Sequence, residues 1–75
     1  MFDIFLFSER FKKCRQSKGF TQMQLAEALN ITKSAISDIE RSRRSTTIEK
    51  LFEISKILDI SSDYLLGLSD NPERR

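Results

Sequence analysis

The stretch Thr21–Arg41, TQMQLAEALNITKSAISDIER, constrains the fold more than any other part of the chain. It reads as two short helices joined by a tight turn. Thr21 followed three residues later by Gln24 is a capping box, which satisfies two backbone N–H groups at a helix start. Leu25, Ala26 and Leu29 fall on one face, and Asn30 tolerates the left-handed conformation that a sharp turn needs. Thr32 caps a second helix in which Ile36 and Ile39 lie one turn apart. Its other face carries Lys33, Ser34, Ser37, Asp38 and Arg41. Solvated helix faces favour Glu, Lys and Gln, whereas Ser34 and Ser37 are poorer helix formers that keep this face slim. A slim hydrogen-bonding helix suits a DNA major groove.

The rest of the chain reads as helices around this pair. A first helix is predicted over residues 8–18, with Phe7, Phe11 and Cys14 inward at i, i+4, i+7 spacing and Arg10, Lys12, Lys13 and Lys18 outward as a solvated face. Cys14 on the apolar stripe reads as a buried structural thiol. Gly19 closes the helix. The preceding MFDIFLF holds too much apolar surface for water: either it extends the first helix from a cap at Asp3, or it meets another chain. Hydrophobic staples recur at Phe20/Leu25, Ile31/Ile36 and Ile60/Leu65, fixing the angle at which the chain enters three helices.

After a basic loop, a fourth helix is predicted over 48–58. Its main inward stripe is Ile48, Leu51, Ser55 and Leu58, broadened by Phe52 and Ile54, with Lys50, Glu53 and Lys56 outside. Asp59 occupies the turn, Ser61 caps a fifth helix over 62–66, and Gly67 ends it. The organisation is thus an apolar extension over 1–7, one domain over 8–67, and a loose tail over 68–75.

Seventy-five residues allow one modest core. A single cysteine excludes an internal disulfide, and without histidine a zinc site is implausible; no metal or cofactor is expected. No apolar run can span a bilayer, the first residues lack a basic leader, and a reducing cytoplasmic setting is the default. No histidine, no paired-carboxylate pocket and no Gly-rich phosphate loop speak against an enzyme. The net charge is only +2, but residues 9–44 hold nine Lys/Arg against four Asp/Glu (+5), while residues 45–75 hold four against six (−2). A basic front half suits a domain that presents one side to phosphate.

The run ERFKKCRQSKGFTQMQLAEALNITKSAISDIERSRR, followed by IEKLFEISKILDISSDYLLG, resembles the phage-repressor/Cro-type helix-turn-helix family, also called the XRE family. The likeness covers about residues 8–67. It rests on the Thr21-Gln22 start, the small Ala26, the apolar set Leu25, Leu29, Ile31, Ile36 and Ile39, then Glu40 and the terminal YLLG. Asn30 and Asp59 stand where the family usually has Gly, Thr46 where Pro is frequent, and Asp38 is unusual on a recognition helix. The resemblance implies an all-α, compact five-helix bundle of the lambda-repressor-like type, with helices two and three forming the helix-turn-helix. It implies a dimer on a palindromic operator in double-stranded DNA. Lys33, Ser34, Ser37 and Asp38 are then expected at base edges. Gln22, Thr32, Arg41, Arg43 and Arg44 are expected at phosphates, and Arg15 and Glu40 as a structural ion pair.

Two functions fit this reading. The first is a sequence-specific DNA-binding transcriptional regulator, a stand-alone repressor of prophage or mobile-element type. The alternative is an antitoxin or other protein-interaction module, docking a protein partner through MFDIFLF or the fifth-helix region.

Overall fold

Each helix of this protein starts on an oxygen-bearing side chain and is closed by a residue at positive φ. The computed structural model describes residues 1–74, which form α1 (Ile4–Ser17), α2 (Gln22–Leu29), α3 (Lys33–Glu40), α4 (Ile48–Leu58) and α5 (Ser62–Leu66). Asp3, Thr21, Thr32, Thr47 and Ser61 accept backbone N–H bonds at the five starts. At Thr21 the capping box is complete, because the Gln24 side chain also accepts from the Thr21 N–H at 2.9 Å. The closing residues are Gly19, Asn30, Ser42, Asp59 and Gly67. After each, the next N–H folds back five residues, as from Ile31 to the Ala26 carbonyl at 2.9 Å and from Arg43 to the Asp38 carbonyl at 2.9 Å. This is the Schellman closure. Ser42, at φ 62°, adopts it without glycine's freedom.

The Asp3 cap decides the fate of the N-terminal segment. Asp3 Oδ1 accepts from the Phe5 and Leu6 N–H groups, so Ile4–Phe7 are the first turn of α1 and the helix starts before Ser8. Phe7 is buried and its ring lies 6.1 Å from that of Phe11. Phe2 and Phe5 remain exposed. Cys14 is only half-buried, because the inward face of α1 is centred on Phe7, Ser8, Phe11 and Arg15. Even this partial burial pushes the Cys14 thiol above its ordinary pKa, which disfavours the reactive thiolate.

α1 packs on α3 and α5, α2 on α3 and α4, and α4 on α5. Leu25, Leu29, Ile36, Ile54, Leu58 and Leu65 lie at the centre of the core with Phe7 and Phe11. The small Ala26 of α2 is 1% exposed. Among the described residues, no helix is long and apolar enough to cross a membrane.

α4 is rotated relative to the sequence expectation. Ile54 and Leu58 are fully buried, whereas Ile48 and Phe52 are exposed. At 3.6 residues per turn, centring the inward face between Ile54 and Leu58 swings Ile48 and Phe52 away by roughly 100° or more. The same rotation brings Lys50 inward. Its Nζ donates to the Leu29 carbonyl at 2.7 Å, satisfying a C-terminal carbonyl of α2.

The tail is docked rather than loose. The Ser61 N–H donates to the Pro72 carbonyl at 2.8 Å. Arg10, expected on a solvated face, has a side chain only 13% exposed. Its guanidinium donates to the Tyr64 carbonyl, to the Ser69 carbonyl at 2.8 Å and to Asp70 at 2.9 Å, and lies 3.9 Å from the Tyr64 ring centroid. Arg75, included in the expected tail, lies outside the described residues. Hydrogen bonds from a charged group contribute about 1.5–3 kcal/mol, so Arg10→Ala is expected to cost about 2 kcal/mol of stability. Denaturant titration measures the loss, and hydrogen exchange should show the Ser61 amide, now without its held acceptor, among those that speed up most.

Candidate nucleic-acid interface

The outward side of α3 follows from what its inward side buries. Ile36 and Ile39 are 0% and 2% exposed. Their burial leaves Lys33 and Ser34 exposed and Ser37 and Asp38 half-exposed. Thr32 Oγ1 accepts from the Ala35 N–H at 3.0 Å. The Lys33 and Ser34 N–H groups at this helix start have no protein acceptor among the described residues. At α2, likewise, Thr21 satisfies Gln24 and leaves the Gln22 and Met23 N–H groups open. Open N–H groups at the positive end of a helix favour anions.

The other end of α3 is fixed by three side chains. Ser8 Oγ donates to the Ile39 carbonyl at 2.6 Å in a buried contact. Arg15 Nε donates to Glu40 Oε2 at 2.6 Å, and Nη2 to Oε1 at 3.2 Å. The third Arg15 bond, from Nη1 to the Phe20 carbonyl at 2.7 Å, ties the pair to the α1–α2 turn. Gln22 Nε2 donates to Glu40 Oε1 at 3.0 Å. Side-chain exposures of 10% and 5% put Arg15 and Glu40 in a bidentate, nearly dry contact. α3 is therefore gripped from α1 and α2 at once.

Neither Ser8 nor the Gln22–Glu40 bond was expected from sequence. Ser8 had a signal, since it shares the inward face with Phe11 and Arg15 and a polar residue there needs a buried acceptor. Gln22 had none, because its partner is eighteen residues away. The bond also bears on the phosphate role given to Gln22: one amide proton is already committed to Glu40, leaving the backbone N–H and the second amide proton.

Beyond α3, the closure at Ser42 turns the chain and leaves Arg41, Arg43 and Arg44 exposed. Among the described residues, Lys33, Arg41, Arg43 and Arg44 make no ion pair, and neither does Asp38. With Glu40 neutralised by Arg15, four cations against the Asp38 carboxylate leave this surface about +3. The structure thus brings Lys33, Ser34, Ser37, Asp38 and Arg41 onto one rigid helix and its cap, with Arg43 and Arg44 in the loop that follows. Such a surface can bind a polyanion and hydrogen-bond to it. Among the described residues no group of His, Cys, Asp and Glu could hold a metal ion.

Comparisons with known proteins identify the family and the fold. A helix-turn-helix family model matches residues 11–65. An uncharacterized HTH-type transcriptional regulator of Bacillus subtilis (strain 168), YqaE, is 46% identical over 66 residues, spanning 88% of this chain and 57% of that protein. The HTH-type transcriptional regulator ImmR of the same organism is 41% identical over 59 residues, 79% of this chain and 46% of that protein. Among solved structures, the P22 c2 repressor in complex with a synthetic operator superposes with a TM-score of 0.77 at 36% identity, covering 81% of this chain and 92% of that one. The chain spans about half the length of the curated relatives it matches.

Proposed function

The chain belongs to the helix-turn-helix family of the XRE type, and from that premise we propose that it is a sequence-specific, double-stranded DNA-binding transcriptional regulator. On this reading it is a repressor of prophage or mobile-element type that binds a palindromic operator as a dimer, with α3 in the major groove. The observation that carries the reading is the grip on α3. Ser8, Arg15 and Gln22 hold a helix whose outward residues Lys33, Ser34, Ser37 and Asp38 are polar and make no ion pair among the described residues. A helix that reads base edges must arrive in one pose, since a hydrogen bond to the wrong edge carries no discrimination.

The roles divide by chemistry. Lys33, Ser34 and Ser37 meet base edges, and Asp38 either accepts from a base amino group such as that of cytosine or holds a neighbouring base-reading side chain. The open N–H groups at the starts of α2 and α3, with Gln22 and Thr32, meet phosphates, and so do Arg41, Arg43 and Arg44. Base contacts set sequence choice and phosphate contacts set affinity.

Selection from random duplex DNA, followed by quantitative binding of variants, tests the division. Ser34→Ala and Asp38→Ala are expected to relax or change preference at one base pair each, by about 1–3 kcal/mol of discrimination. Gln22→Ala is expected to weaken all sequences alike. Unaltered preferences in both α3 variants would remove Ser34 and Asp38 from the base-reading set.

A further inference from the structure

The two ends of α3 are held in different ways. Its C-terminal end is bonded directly by Ser8 and, through Glu40, by Arg15 and Gln22. At its N-terminal end Ile31 is half-buried, and Thr32, Lys33 and Ser34 are exposed. On the side toward α4, a groove lined by Ile31, Ala35, Thr46 and Lys50 separates the two helices. The first turn of α3 therefore takes its place from the three-residue turn Asn30–Thr32 and from the end of α2 before it.

That end of α2 lacks the groups that settle a helix C-terminus. α1 and α4 carry Arg15 and Lys56 in their own last turns, whereas α2 has no cation there and has Glu27 instead. A carboxylate at the negative end of a helix is unfavourable. Asn30 closes α2 at φ 56°, a conformation that glycine adopts more readily. The closure returns the Asn30 and Ile31 N–H groups to the Glu27 and Ala26 carbonyls, which leaves the Leu29 carbonyl for another donor. Lys50 Nζ reaches it from α4 at 2.7 Å. Glu53 fixes the same ammonium at 3.0 Å, and the Lys50 side chain is only 29% exposed. Lys50 thus supplies from another helix both the donor and the positive charge that α2 lacks.

We infer that Lys50 is a positioning residue for sequence reading: its hold on Leu29 sets the pose of the first turn of α3, and with it the base contacts of Lys33 and Ser34. The inference rests on the DNA-binding reading. Leu29 is fully buried and lies four residues before Lys33, and the Ile31 N–H bond to Ala26 leaves the turn little slack. A shift at Leu29 is therefore passed on to α3. A reading side chain must be held within about 0.5 Å of its productive position. Ser37 and Asp38 lie a turn further on, beside the end that Arg15 and Glu40 fix. Lys50 therefore governs one half of the reading surface.

Variants of the full chain test this. Lys50→Met keeps the aliphatic stem and removes the donor and the charge, whereas Lys50→Arg keeps both. The base pairs concerned are those whose preference Lys33→Ala and Ser34→Ala relax. There Lys50→Met is expected to reduce discrimination at least ~5-fold, the low end of what one good base contact supplies. The pairs read by Ser37 and Asp38 should keep their preference, and Lys50→Arg should restore the wild-type pattern. Discrimination is a ratio of affinities, so a smaller folded fraction does not move it. In the free protein, Lys50→Met should speed exchange of the Ile31 amide, which closes α2, relative to that of the Arg43 amide, which closes α3. Lys50→Gln, neutral and one bond shorter, faces the same outcomes should Lys50→Met fail to fold. Unchanged preference overturns the inference. So does an even loss at every base pair, the mark of a residue that supports only the fold. Equal weakening of all sequences with a smaller salt slope also overturns it, since Lys50 would then meet phosphate itself. A wild type without sequence choice, together with faster Ile31 exchange in Lys50→Met, would instead overturn the DNA reading and leave the hold on α2 standing.

Discussion

Replacing Glu40 by Ala is expected to lower stability by about 3 kcal/mol or more, because it leaves the Arg15 guanidinium nearly buried and without its carboxylate. Few single changes in a small domain act so strongly. For a chain of this size 1 kcal/mol moves the melting temperature by about 4–8 °C, so a drop of roughly 12–24 °C is the expected result. The reason lies in the number of groups that converge there. Arg15 donates twice to the carboxylate, and Gln22 donates once from α2. Alanine removes the acceptor of all three of these bonds. Glu40→Gln separates charge from shape, since it keeps an acceptor for Gln22 or Arg15 but not the ion pair, and it should fall between wild type and alanine. Combining Glu40→Ala with Arg15→Met removes both charges. It should recover part of the loss, because the largest penalty is the stranded guanidinium. Thermal melts and a double-mutant cycle measure this. A Glu40→Ala shift below about 4 °C would mean that the pair contributes little and that Ser8 and the core hold α3 by themselves.

What could be read from the sequence follows how far each interaction reaches. Caps at Thr21, Thr32 and Ser61 were legible because their side-chain oxygens accept from N–H groups three residues away. The closures at Gly19, Asn30, Asp59 and Gly67 were legible because Gly, Asn and Asp tolerate positive φ. The closure at Ser42 was not, since serine carries no such preference and the turn is imposed by the α3–α4 connection. The orientation of α4 was misjudged for a different reason. Ile48, Leu51, Ile54 and Phe52 offer two overlapping apolar stripes, and only the position of α2 and α5 decides which is buried. Arg10 was illegible in the same way, as its acceptors lie 54 to 60 residues away and two of them are backbone carbonyls. In the candidate site, the polar face of α3 was visible from Ser34 and Ser37, whereas the grip of Ser8 and Gln22 on that helix needed three elements to be placed together.

The largest effect on binding is expected from the loop. Replacing Arg41, Arg43 and Arg44 together by Gln should reduce affinity for the selected operator on the order of 10³-fold near physiological salt, and by a similar factor for unrelated duplexes. All three side chains are exposed and outside any ion pair among the described residues, so the fold has little to lose and the melting temperature should barely move. Affinity is another matter. Each phosphate neutralised releases condensed counterions and adds about 0.9 to the slope of log affinity against log salt. If all three arginines of both copies reach phosphate, the slope falls by about 5; if only one per copy does, it falls by about 2. The slope therefore counts the contacts without a structure of the complex. Sequence preference should survive in the residual binding, because Lys33, Ser34, Ser37 and Asp38 are untouched and their pose is set by Arg15, Glu40 and Ser8 at the base of the helix. An unchanged slope would assign the three arginines to solvent and shift the phosphate contacts to the open N–H groups at the starts of α2 and α3, which no side-chain substitution can remove. Loss of preference together with affinity would instead place at least one arginine against a base edge, most directly Arg41, which continues the outward face of α3.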